Sequence, residues 1–343
     1  MNARSFSALY FKYKTRNDFL RGIQNGEIVL NEDFLSQALS DAWQQKCRGI
    51  LDFMCEKNIK VCFYFGKGYP SQLRDMSDPP SILYYVGDIS ALEENCLAVV
   101  GSRHSTSYGR TCTELFAKEC AQCGVCIISG MADGIDSIAH NSALEVSGLT
   151  CAVLGGGVDN VYPASNKGLY YEIASHGVII SEYPLSTRPQ KYHFPERNRL
   201  IIGLSKCLLV TEAGLPSGTM STVDFALEQN KTVFAIPGRI DSPASKGTNY
   251  LIKSGCLIAT EPADVLAEFG IYPNEEKTEE KTFEGFDETE TAIIKLLYHE
   301  PHTFIEIEEK LKLDSAELNA SLTMLEISGV ISQEAGRTYV LKK

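Results

Sequence analysis

Long apolar runs are missing from this 343-residue chain, so no segment is long enough to span a bilayer as a helix. The opening stretch, residues 1–20, has no apolar block followed by a small-residue cleavage site, so it does not read as a signal peptide and the cytoplasm is the expected setting. Tryptophan occurs once, as Trp43, and histidine six times. Positive charge is also in deficit: 32 Lys and Arg face 44 Asp and Glu, a net charge of −12. That balance argues against a chain that grips nucleic acid over its whole surface. The motifs of common catalysts are absent too. There is no GxxxxGK[ST] phosphate loop, no HExxH metal pair and no GxSxG elbow.

Cysteine is plentiful, with eleven residues, but the odd number and the expected cytoplasmic setting exclude a disulfide framework. Cys120 and Cys123 form a single CxxC, with Cys126 following. A zinc site needs a second pair or nearby histidines at finger spacing, and none follows. These cysteines are expected to be small buried hydrophobes on or just after a helix, and no cofactor or metal is expected.

Acidity is concentrated at one end. From Pro273 onward there are 8 basic and 16 acidic side chains, which leaves the preceding 272 residues at only −4. A nearly neutral body can hold one local basic groove.

Four segments separate by composition. Residues 1–60 show apolar positions at three- and four-residue spacing, which predicts a small helical domain with Trp43 in its core. Residues 61–272 begin with a lead-in in which Pro70, Pro79 and Pro80 forbid a long helix. They continue with six apolar runs, CLAVVG, VCIISG, TCAVLGGG, GVIISEY, CLLVTEA and TVFAIPG, separated by helical patterns. Continuous apolar strands alternating with helices predict an α/β fold with a parallel sheet covered on both faces. Residues 273–286 form an acidic linker. Residues 287–343 read as three helices and a hairpin turning at Ala335–Gly336, the pattern of a winged helix.

In such a sheet ligands bind beyond the carboxyl ends of the strands. Five Gly/Ser turns fall there. Gly101-Ser102-Arg103 offers backbone N–H groups, a hydroxyl and a guanidinium to an anion. Ser129-Gly130 opens a turn in which Asp133 or Asp136 could cap the next helix, and His140 in that helix is expected to be packed or hydrogen-bonded rather than catalytic. Gly155-Gly156-Gly157 could cradle a phosphate, followed by Asn166, Lys167 and Tyr170, the last a face for base stacking. Arg197, Asn198 and Arg199 at a helix start could contact an anion or order neighbouring loops. Ser217-Gly218-Thr219 closes the set. The residues point to a phosphate-rich ligand held by several contacts, without an evident nucleophile and base.

The ordered series AVVGSR, SGMADGIDSIAH, AVLGGGVDNVYPASNKGLY, ISEYPL, KYHFPERNRLIIGLS and EAGLPSGTMSTVDFALEQNKTVFAIPG resembles the motif set of the DNA-processing protein A family, over roughly residues 69–269. The resemblance implies an extended Rossmann-type sheet that binds single-stranded DNA, protects incoming DNA in natural transformation and loads RecA recombinase for recombination, without being an enzyme. It implies phosphate contacts from Arg103, Lys167 and the Gly/Ser turns, with Tyr170 as their aromatic neighbour. It also implies a homodimer through residues 249–257, where Leu251, Ile252 and Leu257 could form the patch, and a sterile-alpha-motif-like character for residues 1–60. The winged helix resembles the C-terminal domain of some members. Its SAELNASLTMLEISG segment has no Lys or Arg, so it is expected to contact protein or regulate rather than read DNA.

Two enzyme classes compete with this reading. Nucleotide phosphoribohydrolases of the same fold carry a catalytic glutamate in PGGxGTxxE, but Ser221 or Thr222 stands at that place here. A dinucleotide-dependent oxidoreductase would need a third glycine where Asn160 stands, and a ribose-binding acid after the next strand. A third alternative keeps the fold but makes the protein an adaptor without DNA affinity.

Overall fold

The computed structural model describes residues 41–93, 95–272, 286–299, 301–334 and 338–341, together with Arg21 and Asn25. The rest of the first forty residues of the helical segment, nearly all of the acidic linker, the hairpin turn at Ala335–Gly336 and the side chain of Trp43 lie outside the described residues. The chain divides into two compact units between Pro273 and Asn274.

The first unit is built on a nine-stranded sheet. Its strands are β1 (Lys60–Phe63), β2 (Ile82–Gly87), β3 (Cys96–Gly101), β4 (Cys126–Ser129), β5 (Thr150–Val153), β6 (Val178–Ser181), β7 (Cys207–Glu212), β8 (Thr232–Ala235) and β9 (Leu257–Ile258). They lie in the order β1-β2-β6-β5-β4-β3-β7-β8-β9. From β6 to β9 every neighbouring pair is parallel. All six apolar runs become parallel strands. The lead-in adds β1 and β2, which run antiparallel along the β6 edge. The chain starts in the middle at β3, steps outward to β6, then returns to the other flank of β3 as β7. The order therefore reverses between β3 and β7, where an open α/β sheet leaves a crevice.

The continuous apolar runs are explained by cover on both faces. Ala98 and Val100 of β3, with Leu208 and Val210 of β7, face a core completed by Leu200–Leu204 of α6 (His193–Leu204), Val223 of α7 (Thr219–Glu228) and Leu251 of α8 (Lys246–Lys253). Their neighbours Leu97, Val99, Cys207 and Leu209 face the opposite core, with Phe116 of α3 (Ser107–Gln122), Ile135 and Ala139 of α4 (Ile135–Glu145) and Val265 of α9 (Pro262–Leu266). A third cluster joins Met54 from α1 (Asp41–Glu56) to Ile179 of β6 and to Leu169, Tyr170 and Ile173 of α5 (Lys167–His176). One further helix, α2 (Ser71–Arg74), sets Leu73 in the first core. Cys120 and Cys126 are buried among apolar neighbours, and burial pushes the Cys120 thiol up to about 12. No described helix is long and apolar enough to cross a membrane.

The second unit has α10 (Glu288–His299), β10 (His302–Thr303), α11 (Phe304–Leu311), α12 (Ser315–Ile327), β11 (Ile331–Glu334) and β12 (Thr338–Leu341). Its three antiparallel strands lie in the order β10-β12-β11. Ile293, Ile307, Leu318, Leu322, Ile331 and Tyr339 belong to its core. Thr303 and Glu306 form a capping box at the start of α11, and the Asp314 side chain accepts from Ala316 N to cap α12. The result is a winged helix with one strand, β10, that the sequence pattern did not show.

Ile179 is fully buried in the middle of β6. Ile179→Ala is expected to cost about 2–5 kcal/mol through lost burial and the cavity left behind. Urea unfolding should show an earlier midpoint with unchanged slope.

Candidate nucleic-acid interface

The carboxyl ends of β3, β4, β5 and β7 carry the expected turns, but the chain uses most of them for itself. Arg197, in the first half of α6, is only 4% exposed. Its Nη1 donates to Gly130 O at 2.8 Å and to Val153 O, and its Nε donates to Asn198 Oδ1 at 3.1 Å. The guanidinium lies so close to Gly130 that a Cβ there would overlap it. One side chain therefore ties the ends of β4 and β5 to α6. Asp136, buried in the first turn of α4, accepts from Gly130 N at 3.1 Å and Ala132 N at 3.4 Å. Burial pushes its carboxyl up, against the pull of Arg197 and these N–H groups. Gly134, not an aspartate, stands at the cap position of α4.

His140 is fully buried one turn further along. Thr150 Oγ1 donates to Ile127 O at 2.7 Å, so it accepts from His140 Nδ1–H at 2.6 Å. Burial and the nearby Arg197 push the imidazole down to about 3. His140 is a neutral structural residue.

The triple glycine is also covered. Gly155 and Gly156 are buried, His193 Nδ1 meets Gly155 O at 3.0 Å, and Gly157 N donates to Thr187 O at 3.0 Å. The segment from Pro184 to His193 thus lies over the turn expected to cradle a phosphate. Ser129 is buried and donates to Val99 O at 2.7 Å. Arg199 donates from Nη1 to Asp78 O at 2.6 Å and pairs with Glu182, joining α6 to the lead-in. Of the two alternatives left open for the arginines, ordering of loops is what these contacts do.

Tyr170 corrects another expectation. It is 6% exposed, its hydroxyl donates to Val158 O at 2.8 Å, and it packs in the third core rather than offering a face to a base. Helical phase decides this, because Leu169, Tyr170 and Ile173 share the buried side of α5.

What remains open is a rim. Arg103 is exposed, its guanidinium 5.6 Å from the centroid of the Phe194 ring. Phe194 in turn lies 5.5 Å from Tyr162, which is 52% exposed. The 3-10 turn beyond Tyr162, Ala164–Asn166, ends at Asn166, whose Nδ2 donates to Met131 O at 2.9 Å, and leads to exposed Lys167 at the start of α5. Ser165 Oγ donates to Asp133 Oδ1 at 2.9 Å, a second tie between the same two loops. Arg103, Phe194 and Tyr162 thus form one connected path. Neither Phe194 nor Tyr162 was singled out from sequence, although both lie in quoted motifs. Gly101 and Ser102 are partly exposed beside Arg103, and Ser102 Oγ accepts from His104 N at 3.1 Å. Ser217 and Thr219 bond to each other, with exposed Gly218 between them.

At the other flank of the sheet, Leu251 is 4% exposed and part of the core, and Ile252 packs beside it. Leu257, on edge strand β9, is half exposed. It borders a groove of about 490 Å³ that is also lined by Leu215, Leu227 and Tyr250. Helical phase again separates exposed Tyr250 from buried Leu251.

Residues 60–270 match the model of the DNA recombination-mediator protein A family, and residues 275–337 match that of the DprA winged helix domain. The chain belongs to the DNA recombination-mediator protein A family. Protein Smf of Escherichia coli is 44% identical over 207 residues, which cover 60% of this chain and 55% of that protein, so the match spans about half of that relative's length. A solved DprA structure from Streptococcus pneumoniae aligns with TM-score 0.61 at 33% identity, over 78% of this chain and 98% of that one. A Helicobacter pylori DprA structure, described for its single-stranded DNA binding mode, aligns with TM-score 0.57 at 33% identity, over 62% and 95%.

In this DprA-family chain the place of the phosphoribohydrolase glutamate holds hydroxyls. Thr222 Oγ1 accepts from Asn198 Nδ2 at 2.8 Å and Ser221 Oγ donates to Gly218 O at 2.8 Å.

Two outcomes follow for the buried cluster. Arg197→Ala strands Asp136 and two carbonyls, so a loss of about 3–5 kcal/mol in urea unfolding is expected. His140 stays neutral in the folded state and protonates freely when unfolded. Its contribution is therefore complete above about pH 6.5 and is lost as pH falls toward about 3. The slope should approach about 1.4 kcal/mol per pH unit, and His140→Gln should flatten it.

Proposed function

We propose that this DprA-family protein is a cytoplasmic, non-enzymatic single-stranded-DNA-binding protein that protects incoming DNA and loads RecA recombinase in natural transformation and recombination. The observation that carries the reading is the exposed path from Arg103 over Phe194 to Tyr162, with Lys167 on the helix that the same loop opens. A guanidinium seated on an aromatic ring beside a free tyrosine suits a ligand that presents phosphates and bases along one strand. The likeness to the Helicobacter pylori DprA structure supports the same ligand class. The Ser102 hydroxyl and the exposed backbone of Gly218 face the strand, with Gly101 beneath them, whereas Ser129, Gly130, Gly155, Gly156, Asn166, Arg197 and Arg199 hold the loops that present it.

A homodimer through the β9 edge is part of this reading, with Leu257, Tyr250 and Leu227 as its exposed apolar contacts in place of buried Leu251. RecA loading is supported by family membership alone. The acidic winged helix is assigned to a protein contact, because α12 carries no Lys or Arg to meet a phosphate backbone.

Fluorescence anisotropy with a labelled single-stranded oligonucleotide tests the central claim. Binding should weaken with salt, and Arg103→Ala and Lys167→Ala should each reduce the slope of log affinity against log salt by about 0.7. Tyr162→Ala should cost about 1–3 kcal/mol of binding, and Tyr170→Phe should leave affinity unchanged. Absence of binding by the wild type at low salt would sink the reading.

A further inference from the structure

Glu212 ends β7, next to β3, at the point where the strand order reverses. It is 2% exposed, yet its carboxylate reaches across to the start of α3. Thr106 N donates to Oε1 at 3.1 Å and to Oε2 at 3.3 Å, and the Thr106 hydroxyl donates to Oε2. Thr106 is the cap of α3, accepting from Gly109 N at 3.1 Å. A Cβ on Gly109 would lie 2.5 Å from Glu212 Oε2, so the carboxylate rests against the first turn of the helix with no space between. The backbone takes part as well, because Ser102 N donates to Glu212 O at 2.8 Å.

These contacts have a plain chemical meaning. In dinucleotide-binding sheets the helix after the first strand of the switch point turns its N-terminus to a pyrophosphate. Here the N–H and hydroxyl of the cap residue Thr106 are taken by a carboxylate of the chain itself. A buried carboxylate is costly unless donors surround it. Among the described residues its hydrogen-bond partners are the N–H and hydroxyl of Thr106, assisted by the dipole of α3.

We propose that Glu212 is an internal anion that fills the phosphate position of the switch-point crevice and closes it to free nucleotides and inorganic phosphate. It is a specificity-determining residue. A ligand phosphate is left with the outer rim at Arg103, where a polymer gains from several contacts and a mononucleotide gains one. This last consequence rests on the single-strand reading above; the closure itself does not.

Thermal unfolding of the full chain tests the closure without DNA. Wild type, Glu212→Ala and Glu212→Gln are melted in sodium chloride, sodium formate and sodium phosphate at matched ionic strength, and wild type also with AMP. The wild-type midpoint should be the same in all of them. Glu212→Ala should melt lower in chloride and regain about 5 °C, saturably, with formate or phosphate, which occupy the vacated place. Glu212→Gln should melt lower and regain nothing, because its amide fills the space. Stabilisation of the wild type by AMP or phosphate would overturn the proposal. So would a Glu212→Ala protein that responds to formate and phosphate no more than to chloride. Should the alanine variant not fold in any salt, the glutamine variant decides: a wild-type midpoint in chloride overturns the proposal, and a lowered one supports it. Oligonucleotide binding is measured separately, so loss of the single-strand reading leaves this result intact.

Discussion

The guanidinium of Arg197 sits at the carboxyl ends of β4 and β5, bonded to Gly130 O and Val153 O beside the carboxylate of Asp136. Burying an arginine is expensive unless its donors are met. Here two strand ends and the Asn198 side chain meet them, so β4, β5 and α6 cannot move independently. The first turn of α6 inherits this fixed position. Phe194 lies on that turn, Arg103 rests over its ring, and Tyr162 leans against it. The exposed rim is therefore held from below by a buried ion.

The same economy applies across the edge of the sheet. Where a nucleotide-binding sheet leaves its glycine turns open to a ligand, this one places its own groups in them. The Arg197 guanidinium lies over Gly130, the Glu212 carboxylate lies against Gly109, and the segment before α6 covers Gly155 and Gly156. Glycine is still required for close approach, but the approaching group belongs to the chain. What the chain leaves open at this edge is a ridge at Arg103 and Tyr162 rather than an enclosed pocket. A ridge suits an extended strand better than a compact nucleotide, because a strand can make several weak contacts in series.

Charge follows a similar division between whole and part. The chain is acidic by twelve charges, and two thirds of the excess lies beyond residue 272. Attraction of a phosphate depends on the charges within about one Debye length of it, roughly 8 Å at physiological salt. On the single-strand reading, Arg103 and Lys167 act through their own local charge, whatever the net charge of the whole chain. The winged unit carries the pattern further: its core is ordinary, but exposed Met324 and Ile327 lie on α12, a helix with two glutamates and no lysine or arginine.

The sequence by itself determined the elements and their order. Six continuous apolar runs could only be strands covered on both faces, and the Gly/Ser turns after them could only fall at the ligand edge. Charge and spacing also separated a winged unit from the α/β unit. Its short β10 was not legible, since two residues carry no period, and the antiparallel β1 and β2 were hidden in a lead-in whose prolines lie between them. Within the site the sequence named residues but not the direction of their side chains. Tyr170 and Leu251 turn inward while Tyr162 and Tyr250 turn outward, a difference of helical phase or loop path that composition does not encode. Arg103 and Arg197 look alike in sequence, one in a turn after a strand and the other near a helix start. Only the tertiary structure decided that one meets solvent and the other two buried carbonyls, because satisfying a buried donor depends on groups that arrive from distant parts of the chain.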